Sequence, residues 1–142
     1  MPALTLSIQG QDQFAGLPAR STFVRWITAA IERDSQLTLR FVGAKEGRRL
    51  NRDYRGKDYA TDVLTFAYSM RPAVRADIVI CVPLMKREAG ALCKPVYDHL
   101  AHLVVHATLH AHGHHHDNAT AARAVAARET KVLRSLGRLP PY

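Results

Sequence analysis

Eight histidines occur in this sequence, and all of them fall between residues 99 and 116. His106 and His110 are four residues apart, so on an α-helix they share one face and can bind one cation together. A third ligand on the same straight helix would lie too far along the axis, but Gly113 can end the helix and turn the chain back. His116 then approaches from the side. Three neutral imidazoles with one open position make a catalytic type of zinc site, which activates water for hydrolysis.

The residues between and beside these ligands have other expected roles. Apolar residues surround the two helical ligands, which favours a packed helix over a solvated, tag-like histidine cluster. For His112, His114 and His115 we expect a surface cluster, with contacts to the ligands or to substrate left open. His102 lies one turn before the first ligand, so we expect it beside the ligands or in the core.

Two other functions remain open for such a site. The spacing His-x-x-x-His-x-x-Gly-x-x-His also occurs in zinc peptidases, so a metal-dependent peptidase or esterase is one alternative. Ala107, however, occupies the position at which those enzymes hold the glutamate that acts as general base. The other alternative is a binding protein whose zinc only stabilises the fold, and a fourth protein ligand on the metal would favour it.

The composition of the chain limits the class of protein to which it can belong. The chain has 142 residues, of which 47% are hydrophobic and 23% charged, and this suits a single domain over residues 1–142 with its own core. No apolar run approaches the roughly 18 residues of a membrane span, and no N-terminal secretory signal is recognisable. Cys81 and Cys93 form no paired motif, so we expect free thiols in a reducing cytoplasm and no membrane partner.

The charge of the chain indicates a polyanionic partner. The formal net charge is +8, and the basic residues concentrate in one stretch with interleaved tyrosines. This stretch contains Arg40, Lys45, Arg48, Arg49, Arg52, Arg55 and Lys57. Guanidinium groups bind phosphates and aromatic rings stack on bases, so we expect Arg48, Arg49, Arg52 and Lys57 to contact nucleic acid. A solvated helix face without a ligand is the alternative.

Hydrophobic periodicity predicts four strands and four helices in the order βαβαββαα. The strands are expected at residues 4–8, 37–42, 63–66 and 77–82, and Pro83 is expected to end the fourth. The helices are expected to begin near residues 21, 44, 97 and 118, with Gly137 ending the last one. From the second helix, Leu50 and Tyr54 are expected to face inward. This order predicts an α/β (α+β) fold in which helices cover a mixed four-stranded sheet, with a zincin-like metal site on a central helix and the following turn.

At three places the sequence is similar to the YbeY family of endoribonucleases. The first is the stretch from Leu50-Asn51 through Tyr54-Arg55-Gly56-Lys57-Asp58 to Thr61-Asp62-Val63-Leu64-Thr65-Phe66. The second is the strand Asp77-Ile78-Val79-Ile80-Cys81, and the third is the histidine segment. Because the three blocks occur in the family's order and at its separations, the chain resembles that family over most of its length.

The resemblance implies a zinc-dependent endoribonuclease that cleaves single-stranded RNA. It further implies a role in ribosomal RNA maturation, at the 16S rRNA 3′ end, and in ribosome quality control. The implied partners are ribosomal RNA and the ribosome or small-subunit proteins, and the second alternative becomes a ribosome-associated assembly factor. His106, His110 and His116 match the family's ligands for one zinc ion. Arg55 matches its functional arginine, whose guanidinium can stabilise charge on a phosphoryl group.

The sequence departs from the family pattern most clearly at His114-His115, where the family has Tyr-Asp. If that aspartate orients a ligand, His115 must do so by another route, so we expect His115 to contact the ligands rather than the metal. We expect the same of His102, because it lies one turn before His106. Four small residues also differ, namely Ala107 and Ala76 for glycine, Thr65 for serine and Ala67 for proline, and all four changes are tolerable. Either direct attack of the activated water on phosphorus or attack by the ribose 2′-hydroxyl is compatible with these residues.

Overall fold

The computed structural model describes residues 1–138, and its centre is a mixed four-stranded sheet. The strands are β1 (Leu4–Gln9), β2 (Ser35–Val42), β3 (Val63–Ser69) and β4 (Val74–Cys81). Their order in the sheet is β1-β2-β4-β3, in which β1, β2 and β4 are parallel and β3 is antiparallel to β4. The predicted mixed sheet is therefore confirmed, and with it the α+β class.

The helices are α1 (Arg20–Ala30), α2 (Ala44–Arg55), α3 (Val82–Ala91), α4 (Val96–Ala111) and α5 (Ala119–Ser135), with a turn of 3-10 helix at Gln11–Gln13. The prediction of four helices is wrong at α3. Proline fits the first turn of a helix, where no N–H is needed, so Pro83 allows α3 to follow β4 without a loop. Within residues 1–138, no helix is long and apolar enough to cross a membrane.

The main core lies between one face of the sheet and the helices α1, α4 and α5. Helix α4 is at its centre, because it contacts α1, α3 and α5 as well as β3 and β4. Its residues Leu100, Val104 and Leu109 are fully buried there. Since neighbouring elements hold α4 on several sides, the histidines that it carries have a fixed position relative to the sheet.

Helix α2 packs on the opposite face of the sheet. Beneath it lies a small apolar cluster of Val42, Leu64, Val79 and Cys81. Leu50 packs against this cluster as predicted. The prediction that Tyr54 faces inward is wrong, since its side chain is 69% exposed and its ring meets that of Phe66 edge-on at 5.1 Å. Tyr54 belongs to the last turn of α2, which extends beyond the cluster.

The turn after α4 has the form that the sequence predicts. Helix α4 ends at Ala111, and Gly113 then adopts a left-handed conformation with φ of 91°. The backbone N–H of His114 donates to the carbonyl of Leu109, which closes this turn. Asn118 caps the start of α5 through its side chain. The chain is thereby reversed between α4 and α5, with the last predicted zinc ligand on the connecting segment.

Candidate metal centre

The predicted zinc ligands and the predicted functional arginine lie around one cavity. Its volume is about 330 Å³, and it is lined by Arg55, Val63, Leu64, Thr65, His106, His110 and His116. Helix α4 and the turn after it supply the histidines, while β3 and the end of α2 supply the remaining residues. The structure thus brings Arg55 next to three histidines from a distant part of the chain.

The imidazole rings at this cavity are closely packed. The rings of His106 and His116 are stacked, with centroids 4.8 Å apart and planes 9° from parallel. The ring of His115 lies perpendicular to that of His110, a predicted ligand, at a centroid distance of 4.7 Å. Burial, together with the neighbouring histidines, lowers the pKa of His110, so its ring is neutral at pH 7. A neutral imidazole is the form that binds a metal ion.

A buried carboxylate from α5 holds two histidines of α4. Glu129 is fully buried, its Oε1 accepts a hydrogen bond from Nδ1 of His106, and its Oε2 lies 3.2 Å from Nε2 of His102. Burial alone would raise the pKa of Glu129, but the hydrogen bonds from both imidazoles lower it to about 2. The carboxylate is therefore ionised, and with Nδ1 of His106 engaged, Nε2 is the nitrogen available to a metal ion.

The sequence prediction gave Glu129 no role, although a signal for one exists. Glu129 lies four residues after Val125 and four before Leu133, and both of these residues are buried, so a carboxylate interrupts an apolar helix stripe. Within the described residues, His102, His106 and Glu129 form a group that could hold a metal ion. His102, expected beside the ligands, contacts the same carboxylate that contacts His106.

Arg55 is the last residue of α2, and its side chain is exposed at the wall of the cavity near Thr65. Gly56 ends the helix directly after it, in a left-handed conformation with φ of 71°. Arg48 is held by two hydrogen bonds from its guanidinium to Asp58, whereas Arg55 makes no ion pair within residues 1–138. An unpaired guanidinium beside imidazoles is available to an anionic ligand such as phosphate.

The other predicted RNA-binding residues of α2 line an open groove of about 650 Å³. Its basic residues are Lys45, Arg48, Arg49 and Arg52. Ion pairs within the chain partly neutralise them, namely Arg48–Asp58, Arg49–Glu46 and Arg52–Asp53. Lys57 follows the end of α2 and does not line this groove. The groove is basic on balance, but less so than the count of its cations indicates.

The expectation of a surface cluster is wrong for His112, which is 5% exposed. Its Nδ1 donates to the carbonyl of Thr108 at 2.8 Å, and its Nε2 accepts from the backbone N–H of Glu32 at 3.2 Å. Burial lowers the pKa of His112, which agrees with a neutral ring in these bonds. The Nε2 of His114 lies 2.7 Å from the Glu32 carboxylate. Neither histidine lines the cavity, so neither is positioned as a fourth ligand.

A second group of titratable residues lies near the start of α4. The Nε2 of His99 is 3.3 Å from Oε2 of Glu88, and these two residues form with Asp62 another group that could hold a metal ion. Burial and a hydrogen bond with Asp62 raise the pKa of Glu88 to about 7, and burial lowers the pKa of His99. Glu88 can therefore keep a proton near neutral pH and donate it in the hydrogen bond to Asp62, so the two carboxyl groups can lie together without a metal ion between them.

Comparison with known proteins finds relatives of nearly the whole chain. The family model described as Endoribonuclease YbeY matches residues 10–137. Endoribonuclease YbeY of Methylibium petroleiphilum is 51% identical over 143 residues, which cover 99% of this chain and 95% of the relative. Endoribonuclease YbeY of Aromatoleum aromaticum is 46% identical over 142 residues, which cover 98% of this chain and 92% of the relative.

A solved structure has a similar fold. The solution structure of TM1509 from Thermotoga maritima superposes with a TM-score of 0.59 and 21% identity, over 94% of this chain and 92% of that one. At this identity the likeness concerns the fold alone. The family model and the curated relatives go further, because they match the sequence of the chain over nearly its full length. The chain belongs to the YbeY family of endoribonucleases, as its three sequence blocks predict.

Proposed function

We propose that this chain is a zinc-dependent endoribonuclease that cleaves single-stranded RNA. Its proposed roles are maturation of the 16S rRNA 3′ end and ribosome quality control, with ribosomal RNA and the ribosome or small-subunit proteins as partners. Membership in the family supports the reaction class, which is hydrolysis of phosphodiester bonds. The observation that supports the site is the single cavity at which Arg55 meets His106, His110 and His116.

The residues at this cavity suit one zinc ion. His106, His110 and His116 offer three imidazoles, a donor set that zinc uses at catalytic sites. The contact between Glu129 and the first of these rings agrees with the carboxylate–histidine pairing found behind metal ligands. When bound, zinc supplies Lewis acidity toward a phosphate oxygen and lowers the pKa of water to about 7.

The proposed role of Arg55 is to bind the phosphate that reacts. A guanidinium can form two parallel hydrogen bonds to phosphate oxygens, and it stabilises negative charge that develops on them. Lys57 adds a second positive charge close to Arg55 in the chain, after the turn at Gly56. His115 packs against the ring of His110 and so limits its rotation.

The proposed role of the α2 groove is to bind phosphates that flank the cleaved bond. Arg48, Arg49 and Arg52 line it, and it follows the helix that ends at Arg55. Contacts of this kind position the strand but do not read its sequence. The proposed location is the cytoplasm, with which the two free cysteines, Cys81 and Cys93, agree.

The two alternative functions make different demands on the site. A structural zinc usually has four protein ligands, but His112 and His114 are engaged by Thr108 and Glu32 and do not line the cavity, which argues against either of them as a fourth ligand. A peptidase or esterase of the related type needs a base beside its first ligand, and Ala107 at that place offers no proton acceptor. The nuclease is therefore the function that the geometry supports best.

Substitution of one proposed ligand tests the function. We expect His110→Ala to lose both bound zinc, measured by atomic absorption, and cleavage of single-stranded RNA, measured on gels. His114→Ala is the matched control and should retain both, because its side chain does not line the cavity. Cleavage by His110→Ala at the wild-type rate in metal-free buffer would overturn the proposal. A 2′,3′-cyclic phosphate among the products would identify the ribose 2′-hydroxyl as the nucleophile.

A further inference from the structure

One face of the sheet is covered only in part, and its uncovered part is polar. Helix α2 covers the apolar cluster near β3 and β4, whereas residues of β1 and β2 on the same face remain accessible. Strand register places Thr5, Gln36 and Arg75 in one row across this face, and Ser7, Thr38 and Asp77 in the next. We call these six residues the open sheet face. Its lack of apolar side chains distinguishes it from a surface that packs on a protein core.

Aromatic rings border the open sheet face on the side of the active site. Tyr68 is 61% exposed, and its hydroxyl donates a hydrogen bond of 2.7 Å to Asp77. Tyr54 is 69% exposed and lies edge-on against Phe66, which is the cross-strand partner of Asp77. These contacts orient both tyrosine rings without burying them. Pre-oriented and accessible rings can stack on a ligand at little cost in conformational entropy.

Two grooves cross this surface and share part of their lining. Their volumes are about 230 Å³ and about 310 Å³, and Thr38, Tyr68 and Asp77 line both. The larger one also contains Tyr54 and Phe66. These two residues are the chain neighbours of Arg55 and Thr65, which line the metal cavity. Phe66 and Thr65 point to opposite faces of β3, which is an edge strand, so the grooves and the metal cavity lie on the two sides of this edge. Tyr54 and Arg55, adjacent at the end of α2, line one each, and a single strand that passes around the edge can reach both.

We propose that the open sheet face binds bases of the single-stranded RNA that flanks the cleavage site, with Tyr68 and Tyr54 stacking on them. This proposal rests on the proposed nuclease function and adds a second binding surface to it. Bases are accessible for stacking in a single strand but not in a duplex, so the surface would also select single strands. Arg75, exposed and without an ion pair in residues 1–138, can bind a phosphate of the same strand.

Abasic oligonucleotides test the stacking separately from binding of phosphate. The zinc-loaded protein is titrated with a single-stranded 2′-O-methyl RNA, and with the same strand in which half of the nucleotides lack their bases, and fluorescence anisotropy reports affinity. Stacking predicts that loss of the bases weakens binding to the wild-type protein by about tenfold or more. Tyr68→Leu should remove most of this difference, and Tyr68→Phe, which keeps the ring, should preserve most of it.

The control variant is Tyr97→Leu, which should leave the difference unchanged, since Tyr97 lies in the first turn of α4 on the other side of the sheet. Equal affinity of the wild-type protein for both strands overturns the proposal even if Tyr68→Leu does not fold. A protein partner instead of RNA at this face would give that same equal affinity. Cleavage of ordinary RNA is followed in parallel. If the protein cleaves RNA but binds the intact and the abasic strand equally well, only the stacking surface is refuted. If it binds the intact strand more tightly but does not cleave RNA, only the nuclease function is refuted.

Discussion

The carboxylate of Glu129 accepts a hydrogen bond from Nδ1 of His106, and it does so from a fully buried position on the neighbouring helix α5. Its other oxygen contacts His102, which lies one turn earlier on α4. The first proposed zinc ligand is thus oriented by a residue that does not line the cavity. An ionised carboxylate in this position fixes the tautomer of the imidazole and makes its free nitrogen a better ligand.

The first prediction concerns this carboxylate. Glu129→Gln keeps the shape of the side chain but removes its charge, so we expect zinc affinity to fall about 10- to 100-fold, with cleavage reduced at limiting zinc. Competition with a chromogenic chelator measures the affinity directly. Glu88→Gln is the matched control, because it makes the same substitution beside an α4 histidine at a place that does not line the cavity.

Two outcomes of the zinc-affinity measurement would contradict the proposed arrangement of the site. Unchanged zinc affinity in Glu129→Gln would contradict the assigned orientation of His106. If zinc were lost from Glu129→Gln but retained by His110→Ala, the metal would instead be bound by the group of His102, His106 and Glu129.

The second prediction separates Arg55 from the metal. Arg55→Glu should lower kcat for RNA cleavage by about 100- to 1,000-fold, because a donor to the reacting phosphate is replaced by a like charge. Zinc content and thermal stability should stay at wild-type values, since the side chain is exposed and unpaired within residues 1–138. Arg123→Glu, on the exposed surface of α5, makes the same charge change and should leave kcat unaltered. Normal turnover by Arg55→Glu would remove its assigned role.

Local spacing predicted the helix that carries His106 and His110 and the turn after it, whereas long-range packing was harder to predict. The helical pair His106 and His110 and the turn at Gly113 depend on residues within about two helical turns, so periodicity is enough to place them. His112 lies in the same segment, but its buried ring accepts a hydrogen bond from the backbone N–H of Glu32, which is 80 residues away in the chain. No local pattern indicates such a contact. Helix α3 was missed for a different reason, because a proline next to a strand is compatible with both a loop and a helix start.

The third prediction concerns the groove along α2. If its arginines bind phosphates, the affinity for single-stranded RNA should fall steeply as salt concentration rises. Replacing Arg48, Arg49 and Arg52 together by glutamine should reduce the magnitude of the slope of log K against log salt by about 2. Asp58→Asn should act in the opposite direction and raise affinity, because it frees Arg48 from its ion pair. If the slope is the same in the triple variant and the wild-type protein, the three arginines are solvated and do not bind phosphate.

The fourth prediction uses the raised pKa of Glu88. This pKa is about 7 in the folded chain against an ordinary value of 4.5, because burial and the hydrogen bond with Asp62 disfavour the charged form beside a neutral His99. The folded state therefore binds more protons than the unfolded state between these values, so stability falls as pH rises from about 4.5 to about 7.

Glu88→Gln removes this loss of stability, because glutamine carries no proton to release. The side chain of Glu88 is 39% exposed, so solvent screening reduces the effect. We expect the variant to gain roughly 1 kcal/mol of unfolding free energy relative to wild type between pH 5 and pH 8, measured by urea denaturation. Asp12→Asn, which removes an exposed carboxylate, controls for net charge and should show no such gain. A constant difference between Glu88→Gln and wild type across this range would mean that Glu88 is already ionised at pH 5, contrary to a raised pKa.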